Sequence, residues 1–388
     1  MRNALYQRTL SLMLLAVCLL AGDLHAQWST HTITVDGRVR SYRTYVPASY
    51  TGASAVPLVY TFHGLGDNMM AFGGIGMHQV ADTAGFIVVV PQAVEDPLLT
   101  ANAWNAGAGF IYYPNTDVDD VAFVDALLDT LEATYQIDDQ RIYSCGFSLG
   151  GFMTQRLACE RSDRFAAVAS MAGTFGTGLP GCVPTRPVPV AHFHGTLDQT
   201  IEYNNGLWGV NVDSLIHFWV QWNSCADPPQ HTPWPDNAND GFTIDHYAYG
   251  NGAAGSEVEL FKVNGAGHQW LFQGSNDLGY SQEAWRFFLR HTLAGEVGFV
   301  PAEAITYLPI HPNPASNSFR LTLPGAAGQE GRLWILDPTG RMVHEERVVP
   351  GEREVHLGTG LASALYTVHV ELGEARYRTT LVVHLPKW

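Results

Sequence analysis

Positive charge is scarce in this chain of 388 residues: 21 Lys and Arg stand against 37 Asp and Glu, a net charge of −16 at pH 7. A surface this acidic repels phosphate backbones and anionic headgroups, so neither nucleic acid nor an anionic membrane is an expected partner. Long apolar runs are also missing beyond the first two dozen residues, so no membrane span is expected. Cysteine is sparse, at five, and no C-x-x-C pair occurs, which argues against zinc and dithiol redox chemistry. No cofactor or metal is called for by the spacing of any residues.

The N-terminus carries Arg2 and Arg8, an apolar run from Leu10 to Ala21, then Leu24-His25-Ala26. This reads as a signal peptide over 1–26, cleaved before Gln27. The run is too short for a comfortable span. Val17 precedes Cys18 where a lipoprotein signal needs a small residue. Loss of Arg2, Arg8 and Asp23 removes two positive charges and one negative, taking the net charge from −16 to −17.

The most informative segment is Gly146-Phe147-Ser148-Leu149-Gly150, directly after the short apolar stretch Arg141 to Cys145. A G-x-S-x-G segment between a strand and a helix makes a nucleophile elbow, because the glycines permit the sharp turn that lifts the serine hydroxyl clear of the sheet. Leu149 to Glu160 has helix-compatible composition, so Ser148 is expected at a helix N-terminus, whose N–H groups can receive an oxyanion. Two partners follow in chain order. The apolar strand from Val188 ends in His194-Gly195-Thr196-Leu197-Asp198, and Val258 to Val263 runs into Asn264-Gly265-Ala266-Gly267-His268. His268 is the expected general base and Asp198 the orienting acid, with Asp236, Asp240 and Asp245 as substitutes for the acid. Upstream, the buried-looking strand Val56 to Phe62 enters His63-Gly64-Leu65-Gly66. That turn is expected to supply one oxyanion donor, the N–H of Leu65, beside the N–H of Leu149, with His63 bracing it.

These residues resemble the secreted polyhydroxybutyrate depolymerase-like and feruloyl esterase family of α/β-hydrolases. The resemblance rests on Tyr42 to Tyr50, Phe62 to Gly64, Trp104-Asn105, Asp119 to Phe123, Arg141 to Gly151, His194 to Asp198 and Gly267 to Trp270, and spans roughly residues 30 to 293. It implies a mostly parallel sheet with flanking helices, and a serine ester hydrolase working through Ser148, Asp198 and His268 by two-step acyl transfer. Leu65 and Leu271 stand where many relatives carry cysteine or proline, which leaves the substrate open: esters of plant cell-wall polysaccharide, or a polyhydroxybutyrate-type polyester. A serine peptidase or acyltransferase would use the same triad, and a non-catalytic carbohydrate-binding surface protein would keep the fold alone.

Further expectations concern support. Trp219 and Trp222 lie three apart in helical-looking sequence and are assigned to the core, while Trp104 and Trp270 are assigned to a substrate cleft. Asp117, Asp119 and Asp120 read as a helix N-cap and first-turn charges rather than a calcium site. His192 and His194 share a strand face and read as core or turn-bracing residues rather than a metal pair. Cys145 and Cys159 are expected as buried thiols, and Cys182 and Cys225 as a disulfide closing a 44-residue loop, worth about 4 kcal/mol in the chain-entropy model. Helices are expected over Asp120 to Tyr135 and Ser281 to Leu293, the latter burying Trp285, Phe288 and Leu289 on one face.

Past a linker at 297–306 the pattern changes to short alternating strands: Ser318 to Leu323, Arg332 to Leu336, Arg341 to Val349, Leu365 to Glu371 and Arg376 to His384. These fit a small β-sandwich over 307–388, following the catalytic domain at 27–296. Leu308 to Ser316 and the final strands resemble the C-terminal sorting domain of the type IX secretion pathway. That resemblance implies the type IX machinery as partner and export across a Gram-negative periplasm, to the medium or the cell surface.

Overall fold

The computed structural model describes residues 26–178, 181–296, 310–311, 315, 317–323, 329–336, 342–357, 364–372 and 375–383. The signal peptide expected over 1–26, but for Ala26, and the linker expected over 297–306 lie outside the described residues. The chain divides into two units, Met1–Val297 and Gly298–Trp388.

In the first unit the strands are β1 (Gln27–Val35), β2 (Arg38–Val46), β3 (Val56–Phe62), β4 (Ile87–Pro91), β5 (Ile137–Phe147), β6 (Ala167–Met171), β7 (Val190–Gly195), β8 (Gln230–Pro233), β9 (Thr243–Tyr249) and β10 (Val258–Asn264). They form one sheet in the order β1-β2-β4-β3-β5-β6-β7-β10-β9-β8. The six strands from β4 to β10 in that order run parallel, while β1, β2, β8 and β9 pair antiparallel at the two edges. Every residue of β4 and β7 is buried, as continuous apolar runs demand when helices cover both faces.

The covering helices are α1 (Met77–Ala84), α2 (Asp120–Thr134), α3 (Leu149–Glu160), α4 (Val212–Asn223) and α5 (Tyr280–Phe288). In α2, Val121, Val124, Leu128 and Leu131 are buried at the expected helical spacing and Asp119 caps the Ala122 N–H at 2.9 Å. Asp120 does more than face the macrodipole. It is buried and paired with Arg40 at 2.6 Å, which ties α2 to the edge strand β2. Helix α5 ends five residues before the expected Leu293, and Leu289 is exposed rather than packed. The chain turns there because β5 captures it: the Tyr143 hydroxyl donates to the His291 carbonyl at 2.8 Å, and the Leu293 N–H to that of Gln140 at 3.0 Å.

The disulfide differs from expectation. Cys159 at the end of α3 is bonded to Cys182, with Cα atoms 5.0 Å apart, while Cys145 and Cys225 are free thiols. Cys225 is held elsewhere, by the N–H it donates to Val220 and beside the Ser256 carbonyl. Trp219 is core as expected, its indole N–H satisfied by Gln155 at 2.8 Å, and Trp222 packs partly buried beside it.

The second unit has β11 (Ile310–His311), β12 (Ser318–Leu323), β13 (Gly331–Leu336), β14 (Met342–Val348), β15 (Gly351–His356), β16 (Ala364–Leu372) and β17 (Ala375–Val383). They form two antiparallel sheets, β11-β12-β15 and β14-β13-β16-β17. Phe319, Leu321 and Val355 from the first sheet and Leu333, Ile335, Val368 and Leu381 from the second bury into one apolar cluster. Strand β15 was not expected, because Gly351-Glu-Arg-Glu-Val-His356 offers a single apolar residue to signal its period.

Candidate active site

Strand β5 delivers Ser148 at its C-terminal end, and α3 leaves from the next residue. Ser148 has φ 55° and ψ −123°, a conformation a side chain pays to adopt. The glycines of the motif are required by contact rather than by φ. A Cβ on Gly146 would strike the Gly150 carbonyl, and one on Gly150 would strike that of Phe62. The Ser148 N–H is tied to Met171 O at 2.8 Å, which anchors the elbow to β6.

The turn after β3 lies over this elbow: a Cβ on Gly64 would stand 3.4 Å from that of Ser148. His63 braces it. Its Nδ1 donates to the Gly64 carbonyl at 2.8 Å, and its Nε2 accepts the Ala93 N–H at 3.1 Å. Burial pushes its pKa down, against the Gly64 hydrogen bond and the Asp67 charge, so the ring stays neutral. Leu65 follows with its side chain exposed and Leu149 opens α3.

Asp198 and His268 come from the loops after β7 and β10, neighbouring parallel strands. These loops are stitched together by the Leu197 N–H to Ala266 O at 2.9 Å and the Gly265 N–H to Thr196 Oγ1 at 3.0 Å. His268 Nδ1 donates to Asp198 Oδ2 at 2.7 Å. The other carboxylate oxygen accepts the N–H groups of Thr200 and Ile201, each at 2.8 Å. Burial pushes the Asp198 pKa up, but the His268 hydrogen bond and charge and the two backbone donors outweigh it and hold the pKa below the usual value. With Nδ1 donating, Nε2 is the nitrogen left to accept a proton.

The substitute acids are engaged elsewhere. Asp245 accepts from His231 at 2.8 Å and Asn264 at 2.9 Å, Asp240 accepts from Asn276 at 2.9 Å, and Asp236 is exposed.

The two tryptophans assigned to a cleft part company. Trp104 is fully buried, packs edge-on against Phe62 with centroids 5.3 Å apart, and donates its indole N–H to the His63 carbonyl at 2.9 Å. It stiffens the turn and, being fully buried, presents no surface to a cleft. Trp270 is half-buried and stands against Phe147, Phe72 and Tyr280. Phe147 went unrecognised in the sequence because the motif leaves its position free. Its ring packs on His268 with centroids 4.7 Å apart, linking the end of β5 directly to the loop after β10.

Among the described residues no group of three or more His, Cys, Asp or Glu is arranged to hold a metal ion, and no helix is long and apolar enough to cross a membrane. The "Esterase" family model matches residues 34–238 of this chain. Feruloyl esterase B of Piromyces equi is 30% identical over 248 residues, covering 60% of this chain and 43% of that protein. Feruloyl esterase D of Neurospora crassa is 27% identical over 277 residues, covering 67% of this chain and 85% of that protein. The bifunctional acetylxylan esterase/xylanase XynS20E of Neocallimastix patriciarum is 26% identical over 265 residues, with 35% of its length matched. The chain thus spans less than half the length of the first and last of these. Among solved structures, an acetyl xylan esterase from Aspergillus awamori aligns at TM-score 0.46 and 16% identity, covering 67% of this chain and 98% of that one. With its family model matched across 205 of 388 residues, this chain belongs to the Esterase family.

Proposed function

We propose that Ser148, His268 and Asp198 carry out ester hydrolysis by acyl transfer, and that the observation bearing most weight is the 2.7 Å bond between His268 Nδ1 and buried Asp198. It leaves His268 Nε2 free to take the Ser148 proton as the hydroxyl attacks the ester carbonyl, while Asp198 holds the tautomer and stabilises imidazolium. The N–H groups of Leu65 and Leu149 receive the oxyanion, each worth roughly 3 kcal/mol in the transition state. The alcohol departs with the proton returned by His268. Water then repeats the sequence on the acyl-serine and releases the acid.

The substrate class we favour is the feruloyl or acetyl esters of plant cell-wall polysaccharide. The relatives named for feruloyl and acetylxylan ester cleavage support it. So do the exposed apolar side chains of Leu65, Leu197 and Phe272 on the loops after β3, β7 and β10, which suit an acyl group better than a charged one. We further read the second unit as a small β-sandwich acting as a type IX sorting domain, which with the signal peptide over 1–26 makes this an exported enzyme. The apolar cluster shared by its two antiparallel sheets supports a sandwich.

Acid release by the purified protein from methyl ferulate, acetylated xylan and polyhydroxybutyrate, with Ser148→Ala beside it, tests the reading. Ferulate or acetate release by the wild type alone is the expected result. Hydroxybutyrate release instead would make it a polyester depolymerase, and no release with no fluorophosphonate labelling would leave a binding protein.

A further inference from the structure

His192 and His194 stand two apart on β7, share one face of the sheet, and are both fully buried. Two imidazoles in a strand interior are a local cost that valine or leucine would avoid. Their hydrogen bonds form a directed chain. His194 Nε2 meets the Ile201 carbonyl oxygen at 2.7 Å, and because a carbonyl only accepts, the ring proton is on Nε2. His194 Nδ1 is therefore an acceptor and takes the Nε2–H of His192 at 3.0 Å. His192 Nδ1 is left as a bare buried nitrogen with no hydrogen-bond partner among the described residues. Burial pushes the pKa of both rings down, that of His192 furthest, so both stay neutral.

The chain ends at the triad acid. Ile201 is the residue whose N–H donates to Asp198 Oδ1, and the His194 Nε2 that grips its carbonyl lies 3.5 Å from Asp198 Oδ2. His194 thus clamps one end of the Asp198–Ile201 turn while the turn's own amides clamp the carboxylate. The Tyr203 ring packs nearly perpendicular to that of His194, centroids 5.7 Å apart.

We infer that His194 is a positioning residue for the reaction, holding the Asp198 carboxylate in line with His268, and that His192 locks the His194 tautomer that does so. This rests on the Ser148–His268–Asp198 reading above. A ring that merely fills space would be replaced by leucine without consequence for catalysis. A clamp needs a donor at the position of Nε2, which the amide of glutamine can supply and leucine cannot.

The test compares full-length wild type, His194→Leu, His194→Gln and His192→Leu by hydrolysis of p-nitrophenyl acetate and by the low-field proton resonance of the His268 Nδ1–H bonded to Asp198. His194→Leu is expected to lose about tenfold or more in kcat with KM within about twofold, and to lose or broaden the resonance. His194→Gln should recover most of both, and His192→Leu should fall between. An inactive wild type would fail the esterase reading, while the resonance would still test the clamp. Unchanged kcat and resonance in His194→Leu, or equal impairment of the Gln and Leu variants, would overturn it. If His194→Leu does not fold, an unaffected resonance in His192→Leu does so instead.

Discussion

Phe147 lays its ring against the imidazole of His268, centroids 4.7 Å apart and planes inclined by 35°. The residue preceding Ser148 therefore supports His268, so a displacement of the elbow displaces both side chains together. Phe147→Ala should lower kcat about three- to tenfold with little change in KM, because it loosens orientation without removing a reacting group. Steady-state kinetics on a p-nitrophenyl ester checks this, and an unchanged kcat would remove the ring from the account.

Ser148 carries the conformational cost of the elbow, with φ 55°. Ser148→Ala should abolish turnover while keeping the fold, and retained esterase activity in a pure sample would sink the assignment. Ser148→Gly should be equally inactive but more stable than Ser148→Ala by about 1–2 kcal/mol, because glycine adopts this backbone without a Cβ penalty. Urea denaturation of the two inactive variants isolates the strain from the chemistry.

The choice of acid is open to the same kind of test. Asp198→Asn should reduce kcat by about 10⁴, the size seen when a triad acid can no longer hold the productive tautomer. Asp245→Asn should stay within about twofold, since that carboxylate serves His231 and Asn264 instead. A loss of under tenfold in Asp198→Asn would move the role elsewhere.

The Cys159–Cys182 bond spans 23 residues, which in the chain-entropy model is worth about 3 kcal/mol. Cys182→Ser should lose stability of that order, while Cys225→Ser, which breaks no bridge, should change it by less than about 1 kcal/mol. Peptide mapping under non-reducing conditions should recover 159 joined to 182; a 182–225 peptide would reverse the pairing.

Glu283 on α5 sits buried, and burial pushes its pKa up from 4.5 to about 7, with Glu259 adding to the rise and Arg286, His246 and Arg290 opposing it. A carboxyl whose folded pKa is raised binds its proton more tightly folded than unfolded, so its stabilising contribution is present below pH 4.5 and is lost as pH rises through about 7. Glu283→Gln removes that dependence. The variant should gain up to about 3 kcal/mol over wild type at pH 8 and nothing at pH 4. Thermal melts at both pH values decide it; an equal effect at both would mean packing, not ionisation.

Much of the site was legible in the sequence, and for a local reason. The turn at Ser148 needs glycine at 146 and 150 because neighbouring backbone allows no Cβ there. Sharp turns of this kind are written in residues two positions apart. Likewise the nearly all-buried run Val56–Phe62 and the 3.6-residue period of Asp120–Thr134 reflect constraints contained within each segment. Helix α5 shows where that reading stops, since its end was set by Tyr143 reaching across from β5.

What the tertiary structure decided were the choices between chemically equivalent residues. Asp198 bonds to His268 where Asp236, Asp240 and Asp245 do not, because the loop after β7 is stitched to the loop after β10 at Ala266, beside His268, whereas the loop before β9 meets it farther along, at Asn276 and Asp277. Cys182 pairs with Cys159 rather than Cys225, and Trp104 faces the backbone of His63 while Trp270 stands beside Phe147. By itself the sequence determined the turn, the order of the candidate residues along the chain and the alternation of strands and helices, since these are written in the residues themselves and in short-range sterics and periodicity. Which carboxylate, which sulfur and which indole reach their partners depended on distances across strands far apart in the chain, and only the packed sheet brings those together.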